Sequence, residues 1–261
     1  MKNPKTRLDW IDRARGAALC SMLVYHASWD LVWIFHFPWN WYKNSYGAYL
    51  WQQTICWSFI LLSGYCCHFS RNLVRRGWIV FSLGWLITIA TALFMPGNLV
   101  LFGVLYLIGA AMIITGLSRA IQRRVTAKTG LSCHIPARLG LIFYFILFLF
   151  TRRISSGILG GGVFSIYLPR ILYYNNLTAA FGFPYPGFFS TDYFPIFPWI
   201  FLFLTGYFLY DLTAENNNYN YNKKTPVFLN FLAFMGRHSL LIYILHQPVI
   251  YGILWAVDRV F

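Results

Sequence analysis

Long apolar stretches alternate with short basic connections along almost the whole chain. Seven stretches can be drawn as helical spans, at residues 16–35, 48–68, 77–95, 99–118, 139–151, 193–210 and 239–257. A helix needs about 20 apolar residues to cross the hydrocarbon core of a bilayer, and most of these stretches approach that length. The fifth is shorter, about 20 Å, so it either tilts little or continues through Arg152 and Arg153. The pattern predicts an all-α fold, a polytopic transmembrane helical bundle of about seven spans that forms one domain over residues 1–261.

The composition excludes an ordinary soluble domain. The 261 residues are 58% hydrophobic, 21% aromatic and only 11% charged, whereas a soluble domain carries about a quarter charged residues. A net charge of +14 would suggest nucleic acid as the partner of a soluble protein. In a membrane protein it is better explained by topology and by contact with anionic lipid headgroups. We therefore expect membrane lipids and no nucleic acid among the partners, and oligomeric assembly is left open. The five cysteines do not have zinc-site spacing, so no metal is expected.

The distribution of basic residues predicts the orientation in the membrane. Sixteen of the 21 lysines and arginines fall before span one or in the connections that follow spans two, four and six. Cytoplasmic segments of membrane proteins carry such an excess of lysine and arginine. The sequence therefore predicts a cytoplasmic N-terminus and, with seven spans, a C-terminus on the outer side.

Two ionisable residues lie within the first predicted span. His26 and Asp30 are four residues apart, so on a helix they share one face and can touch. An ionisable group inside a membrane span costs about 3 kcal/mol or more, and such residues usually mark a functional site. An imidazole oriented by a carboxylate is a common general base, so we predict a catalytic role for the pair. The alternative is a buried hydrogen bond that only ties helices together.

The last predicted span carries a second histidine at a similar depth. His26 lies about 16 Å from Arg15 along a helix, and His246 lies about 12 Å from His238. If spans one and seven are neighbours, the two imidazoles can share one cavity. Pro248 follows His246 and frees backbone groups, as often occurs beside intramembrane sites. A catalytic or substrate-binding role for His246 and a purely structural one both stay open.

Arginines at the predicted cytoplasmic ends suit a phosphate-rich ligand. Arg15 begins span one, and Arg71, Arg75 and Arg76 follow span two. Arginine binds phosphate through a planar, bidentate fork. The alternative, positive-inside topology with headgroup contact, explains most of these residues better. Arg15 differs, because Gly16 beside it allows a close backbone approach and because it opens the helix that carries His26.

Several motifs together resemble a known family. The segment 7–18, followed by Met22 and His26, is similar to the opening of the heparan-α-glucosaminide N-acetyltransferase catalytic-domain family, which also occurs in bacteria. The spacing of Arg15 and His26 also resembles the wider acyltransferase-3 superfamily of membrane acyltransferases. Further similar motifs are Leu62-Ser63-Gly64, Phe102-Gly103-Val104-Leu105 with Ile108-Gly109, Asp192-Tyr193-Phe194-Pro195-Ile196-Phe197-Pro198-Trp199, and Gly236-Arg237-His238-Ser239-Leu240 with Tyr243, His246 and Pro248. The resemblance covers nearly the whole chain.

The resemblance implies an acetyl transfer across the membrane. The donor and co-substrate would be cytosolic acetyl-CoA, and the acceptor an amine or hydroxyl, most often of a sugar or glycan, on the far side of a bacterial cytoplasmic membrane. His26, oriented by Asp30, would deprotonate the acceptor or briefly carry the acetyl group, and His246 would donate to the oxyanion or hold the acceptor. Lysosomal members have their proposed active histidine in the loop after span one, where this chain has His36 nearby. We prefer His26, while His36 and His246 stay open as the base.

Two other functions are weighed against this one. A transporter or flippase for a small polar or lipid-linked substrate would use the His26–Asp30 pair as a proton relay and the Gly/Pro-rich connection 152–192 as a broken segment. No inverted repeat is visible in support of it. A haem protein would use His26 and His246 as axial ligands.

Overall fold

The fold is built from helices that join end to end through short connections. The computed structural model describes residues 9–130, 135–214 and 226–260, and ten α-helices occur within these ranges. The helices are α1 (Asp9–Trp33), α2 (Asn40–Asn44), α3 (Tyr46–Tyr65), α4 (Leu73–Phe94), α5 (Val104–Thr129), α6 (Ala137–Thr151), α7 (Asn176–Phe181), α8 (Ile196–Ala214), α9 (Val227–Arg237) and α10 (Ser239–Val260). Two-residue strands, β1 (Ile158–Leu159) and β2 (Ile166–Tyr167), form an antiparallel hairpin between α6 and α7.

The predicted membrane spans coincide with the long helices. Among the described residues, five helices are long and apolar enough to cross a membrane, namely α4, α5, α6 with its extension, α8 and α10. The α6 segment continues through a 3₁₀ turn to Ser156 and reaches 20 residues, so the short fifth span does extend through the two arginines. The first two predicted spans correspond to α1 and α3, of 25 and 20 residues. The predicted all-α membrane fold is confirmed.

The chain divides into two compact units, and the division falls in α3. The first unit comprises Met1–Leu62 and Tyr219–Phe261, and the second comprises Ser63–Asn218. The first unit thus contains α1, α2, most of α3, α9 and α10, and the second contains α4 to α8. Each unit is described by itself below. A single domain over the whole chain stays a prediction.

Close backbone contact between α1 and α9 defines the first unit. A Cβ atom added at Gly16 would lie 1.9 Å from the carbonyl oxygen of Leu232, and one at Gly236 would lie 1.8 Å from that of Asp12. Only glycine permits helices to approach so closely. The sequence predicted a close backbone approach at Gly16, beside Arg15. In the structure the backbone that approaches there is that of α9, a helix that the hydrophobic pattern did not predict.

Glycines also set the spacing of α4 and α5 in the second unit. A Cβ atom at Gly109 would lie 2.4 Å from the backbone nitrogen of Phe81, and one at Gly84 would lie 2.7 Å from that of Tyr106. The connection before α8 closes onto the start of α5, where the Asp192 carboxylate accepts a hydrogen bond from the backbone N–H of Val104 at 3.2 Å. A carboxylate at a helix N-terminus satisfies free N–H groups and complements the helix dipole. In this structure Asp192, part of a family-like motif, anchors a connection.

The predicted orientation can be tested with reporters. We expect a reporter enzyme that is active only outside the cytoplasm to be active when fused after Phe261, because seven spans carry the C-terminus to the outer side. The same reporter fused at the N-terminus should be inactive, which provides the matched control. A C-terminal fusion that is active only in the cytoplasm would contradict this topology.

Candidate active site

The histidines of the first and last predicted spans meet within the first unit. The rings of His26 on α1 and His246 on α10 have centroids 4.8 Å apart and planes inclined by 62°. Arg15 donates a hydrogen bond to the Ser239 hydroxyl at the start of α10. Toward the other end the rings of Phe35 and Tyr251 lie 6.0 Å apart. The first and last predicted spans are therefore parallel neighbours, as a shared cavity for the two imidazoles requires.

Asp30 lies one turn beyond His26, and its side-chain partner comes from α10. Asp30 is fully buried, and its Oδ1 accepts a hydrogen bond of 2.7 Å from Nε2 of Gln247. The expected contact between Asp30 and His26 is replaced by this one, because α10 presents a donor directly to the carboxylate. The sequence analysis did not single out Gln247. The available signal was its place beside His246 in an otherwise apolar span.

His246 is held by the backbone of its own helix. Its Nδ1 lies 2.5 Å from the carbonyl oxygen of Tyr243. A carbonyl oxygen only accepts hydrogen bonds, so Nδ1 carries a proton and, in the neutral ring, Nε2 is an acceptor. A neutral His246 therefore accepts at Nε2, and only its imidazolium can donate from that atom to an oxyanion, so this expected role stays a prediction. The other role, holding the acceptor, agrees with this tautomer.

Three polar atoms of this cluster are buried without a hydrogen-bond partner. They are Oδ2 of Asp30, Oε1 of Gln247 and Nε2 of His246, and they make up three of the five such side-chain atoms among the described residues. Leaving a buried donor or acceptor unsatisfied costs about 1–3 kcal/mol, so such atoms are rare outside sites that bind water or a ligand. Their concentration on two facing helices marks this cluster as the candidate site.

Aromatic side chains hold one wall of the cluster. The ring of Tyr25 meets the ring of His26 edge-on at 6.0 Å and the ring of Trp51 at 5.3 Å. Trp51 Nε1 donates a hydrogen bond of 2.8 Å to the Ser21 hydroxyl, and the Tyr42 hydroxyl donates one of 3.2 Å to the Tyr25 carbonyl. These contacts tie α2 and α3 to α1 beside His26.

The remaining predicted site residues lie apart from these contacts. His36 is exposed in the loop after α1 and has a positive φ of 56°. Arg71, Arg75 and Arg76 are exposed just before and within the first turn of α4, in the second unit. Their role in binding phosphate stays a prediction. Of the four predicted arginines, Arg15 belongs to the same unit as the histidine pair.

The contact between the two imidazoles differs from a haem site. Axial ligands stand on opposite faces of a haem, with the iron between them. The rings of His26 and His246 instead touch each other directly. Among the described residues no group of three or more His, Cys, Asp or Glu side chains is arranged to hold a metal ion.

A second buried histidine lies in the second unit and was not predicted. His68 stacks on the ring of Tyr210 at 4.2 Å, and its Nε2 lies 3.2 Å from the carbonyl oxygen of Tyr207. Its Nδ1 lies 3.5 Å from Nη2 of Arg119 and 3.7 Å from Oδ1 of Asp211. Both ring nitrogens thus face protein groups, so this cluster links the residues after α3 to α5 and α8.

Apolar helices of membrane-spanning length define an integral membrane protein. The contact of His26 with His246 near the Asp30 carboxylate makes the region between α1 and α10 its candidate acid–base site. The comparison with protein families agrees with this class. The chain belongs to the family described as heparan-α-glucosaminide N-acetyltransferase, catalytic, whose model matches residues 7–248. Membership indicates a membrane acetyltransferase, and the resemblance found in the sequence is confirmed. No curated protein and no solved structure gives a significant match.

Proposed function

We propose that this protein transfers an acetyl group from cytosolic acetyl-CoA to an amine or hydroxyl of a sugar acceptor at the outer side of a bacterial cytoplasmic membrane. The observation that carries the proposal is the direct contact of His26 with His246, beside the buried Asp30–Gln247 pair, in a chain of this family. Two imidazoles in contact can hold and pass a proton where bulk water is excluded. The family name supports an amino sugar as the acceptor.

The chemistry needs one proton acceptor and a defined leaving group. An imidazole takes the proton from the acceptor's N–H or O–H, and the freed electron pair attacks the thioester carbonyl carbon. The carbon–sulfur bond breaks, and the CoA thiolate leaves and takes up the proton. Base catalysis of this kind contributes about 10²–10⁴-fold, and positioning supplies much of the rest. His26 can alternatively carry the acetyl group first, and both routes stay within this proposal.

The phosphates of acetyl-CoA require cationic partners at the cytoplasmic surface. We propose Arg15 for this role, because it lies in the N-terminal part of α1 and donates a hydrogen bond to Ser239 at the start of α10. Arg15 then lies at the end of the α1–α10 pair that is predicted to face the cytoplasm. Arg71, Arg75 and Arg76 are proposed as further phosphate contacts, because they are exposed at a connection predicted to be cytoplasmic.

The test is acetyl transfer by purified protein. With acetyl-labelled acetyl-CoA and glucosamine in detergent micelles, we expect labelled N-acetylglucosamine and an equal amount of free CoA thiol. Arg15→Gln should raise the KM for acetyl-CoA more than it lowers kcat, because it removes a phosphate contact and leaves the imidazoles in place. Glucose and inositol in parallel reactions show whether hydroxyls are accepted as well.

The same preparation separates an enzyme from a transporter. Movement of labelled substrate into proteoliposomes without formation of an acetylated product or free thiol would contradict the proposal and favour transport. Well-folded protein that neither binds acetyl-CoA nor releases thiol with any acceptor would also contradict it.

A further inference from the structure

We infer that Nε2 of His246, Oδ2 of Asp30 and Oε1 of Gln247 form a subsite that receives the hydrogen-bond donors of the acceptor substrate, with His246 as the group that takes the transferred proton. The inference rests on the proposed acetyl transfer and adds to it the residues that bind the acceptor. Its basis is the set of buried atoms that have no hydrogen-bond partner in the protein.

All three atoms accept hydrogen bonds. Nε2 of His246 is an acceptor because Nδ1 donates to the Tyr243 carbonyl. As a carboxylate, Asp30 offers only acceptor atoms, and Gln247 occupies one of its oxygens. The amide nitrogen of Gln247 faces Asp30, so the amide oxygen is the atom left over. A ligand that satisfies these atoms must therefore supply N–H or O–H hydrogens.

The need for N–H or O–H hydrogens favours the acceptor over acetyl-CoA as the ligand of these atoms. The thioester carbonyl and the ionised phosphates of acetyl-CoA only accept hydrogen bonds, and the donors of its pantetheine arm, two amide N–H groups and one hydroxyl, are spread along an extended chain. Acetyl-CoA therefore matches three clustered acceptor atoms less well than a ring that carries several hydroxyls does. A sugar or amino sugar offers an attacking group and neighbouring hydroxyls. Gln247 is adjacent to His246 in sequence and is hydrogen-bonded to Asp30, so the three atoms belong to neighbouring residues, as binding to several hydroxyls of one sugar ring requires.

The roles of the three atoms then follow from their chemistry. Nε2 of His246 takes the proton from the attacking nitrogen or oxygen, and the resulting imidazolium returns it to the CoA thiolate when the carbon–sulfur bond breaks. Asp30 and Gln247 bind hydroxyls beside the attacking group. Gln247 is thus a positioning residue in two respects, because it also fixes the Asp30 carboxylate.

The experiment compares two acceptors that share an amine and differ in hydroxyls. Glucosamine and cyclohexylamine are assayed with wild type and with Gln247→Met, which keeps the side-chain length without polar atoms. We expect the KM for glucosamine to rise at least about tenfold. Most of the preference for glucosamine over cyclohexylamine should be lost, and the KM for acetyl-CoA should change much less than the KM for glucosamine.

A matched control separates binding from helix packing. Ser21→Ala removes the hydrogen bond from Trp51, another side-chain bond between helices of the same unit. It is expected to lower thermal stability without changing either KM. If Gln247→Met does not fold, the double variant Asp30→Asn with Gln247→Glu is used. In it the amide at position 30 donates to the carboxylate at position 247, so the hydrogen bond between α1 and α10 is kept with its direction reversed. That variant also offers two spare oxygens, so we expect it to retain the preference for glucosamine.

The outcomes distinguish this inference from the proposed function. If the wild-type protein turns over no acetyl-CoA under any condition, the proposed function is contradicted. An active wild type with unchanged acceptor KM and selectivity in Gln247→Met defeats the subsite alone. A folded double variant that has lost the preference for glucosamine also defeats the subsite, as does a wild type that uses cyclohexylamine as well as glucosamine.

Discussion

Replacing His26 with alanine is expected to reduce acetyl transfer by about 10²–10⁴-fold or more while leaving expression and folding intact. His26 contacts the rings of His246 and Tyr25, so its removal takes away one of the two imidazoles that hold and pass the proton, or the group that carries the acetyl group. The side chain is half-buried and lies outside the α1–α9 contact, so a folded variant is expected. Thiol release and acetyl transfer, each normalised to monodisperse protein, are the measurements.

His36→Ala is the matched control for this variant. His36 is the alternative base suggested by the resemblance, and it is exposed and separate from the histidine pair. Wild-type rates are expected for His36→Ala. Full activity in His26→Ala would contradict a catalytic role for His26. Loss of activity in His36→Ala alone would move the chemistry from the helix pair to the loop after α1.

The hydrophobic pattern predicted the long helices well for a physical reason. In lipid, every backbone polar group must be satisfied within the segment, so an apolar stretch of about 20 residues has few alternatives to a helix. The seven predicted spans accordingly overlap α1, α3, α4, α5, α6, α8 and α10, and five of these helices are long and apolar enough to cross a membrane. α9 escaped prediction because it has 11 residues and lies in a stretch drawn as a connection.

The sequence predicted the main residues of the candidate site but only some of the contacts between them. The cost of ionisable groups in lipid singled out His26, Asp30 and His246, and matching depths suggested that the histidines meet. The partner of Asp30 depends on which side chain α10 turns toward α1, and helical spacing within α1 carries no information about that. Gln247 therefore became visible only when the two helices were seen together.

Alanine at Gly236 is expected to destabilise the protein by about 3 kcal/mol, because overpacking of a tight contact forces the backbone to shift. The added Cβ would lie 1.8 Å from the carbonyl oxygen of Asp12, and a helix backbone cannot give way as a flexible side chain can. α9 must then move away from α1, and the Gly16 contact with Leu232 must open with it. The measurement is the thermal unfolding temperature in detergent, together with the yield of monodisperse protein.

Gly252→Ala provides the control on α10. Nothing lies within 4 Å of a Cβ atom added there, so helix propensity alone acts, and alanine is expected to be neutral or to stabilise by up to about 1 kcal/mol. Equal unfolding temperatures for Gly236→Ala and Gly252→Ala would contradict the close α1–α9 contact. If the contact exists, Gly236→Ala should also lower acetyl transfer beyond the loss of folded protein. α1 carries Arg15 and His26 on the same rigid helix, so a shift at Asp12 displaces both from their partners on α10.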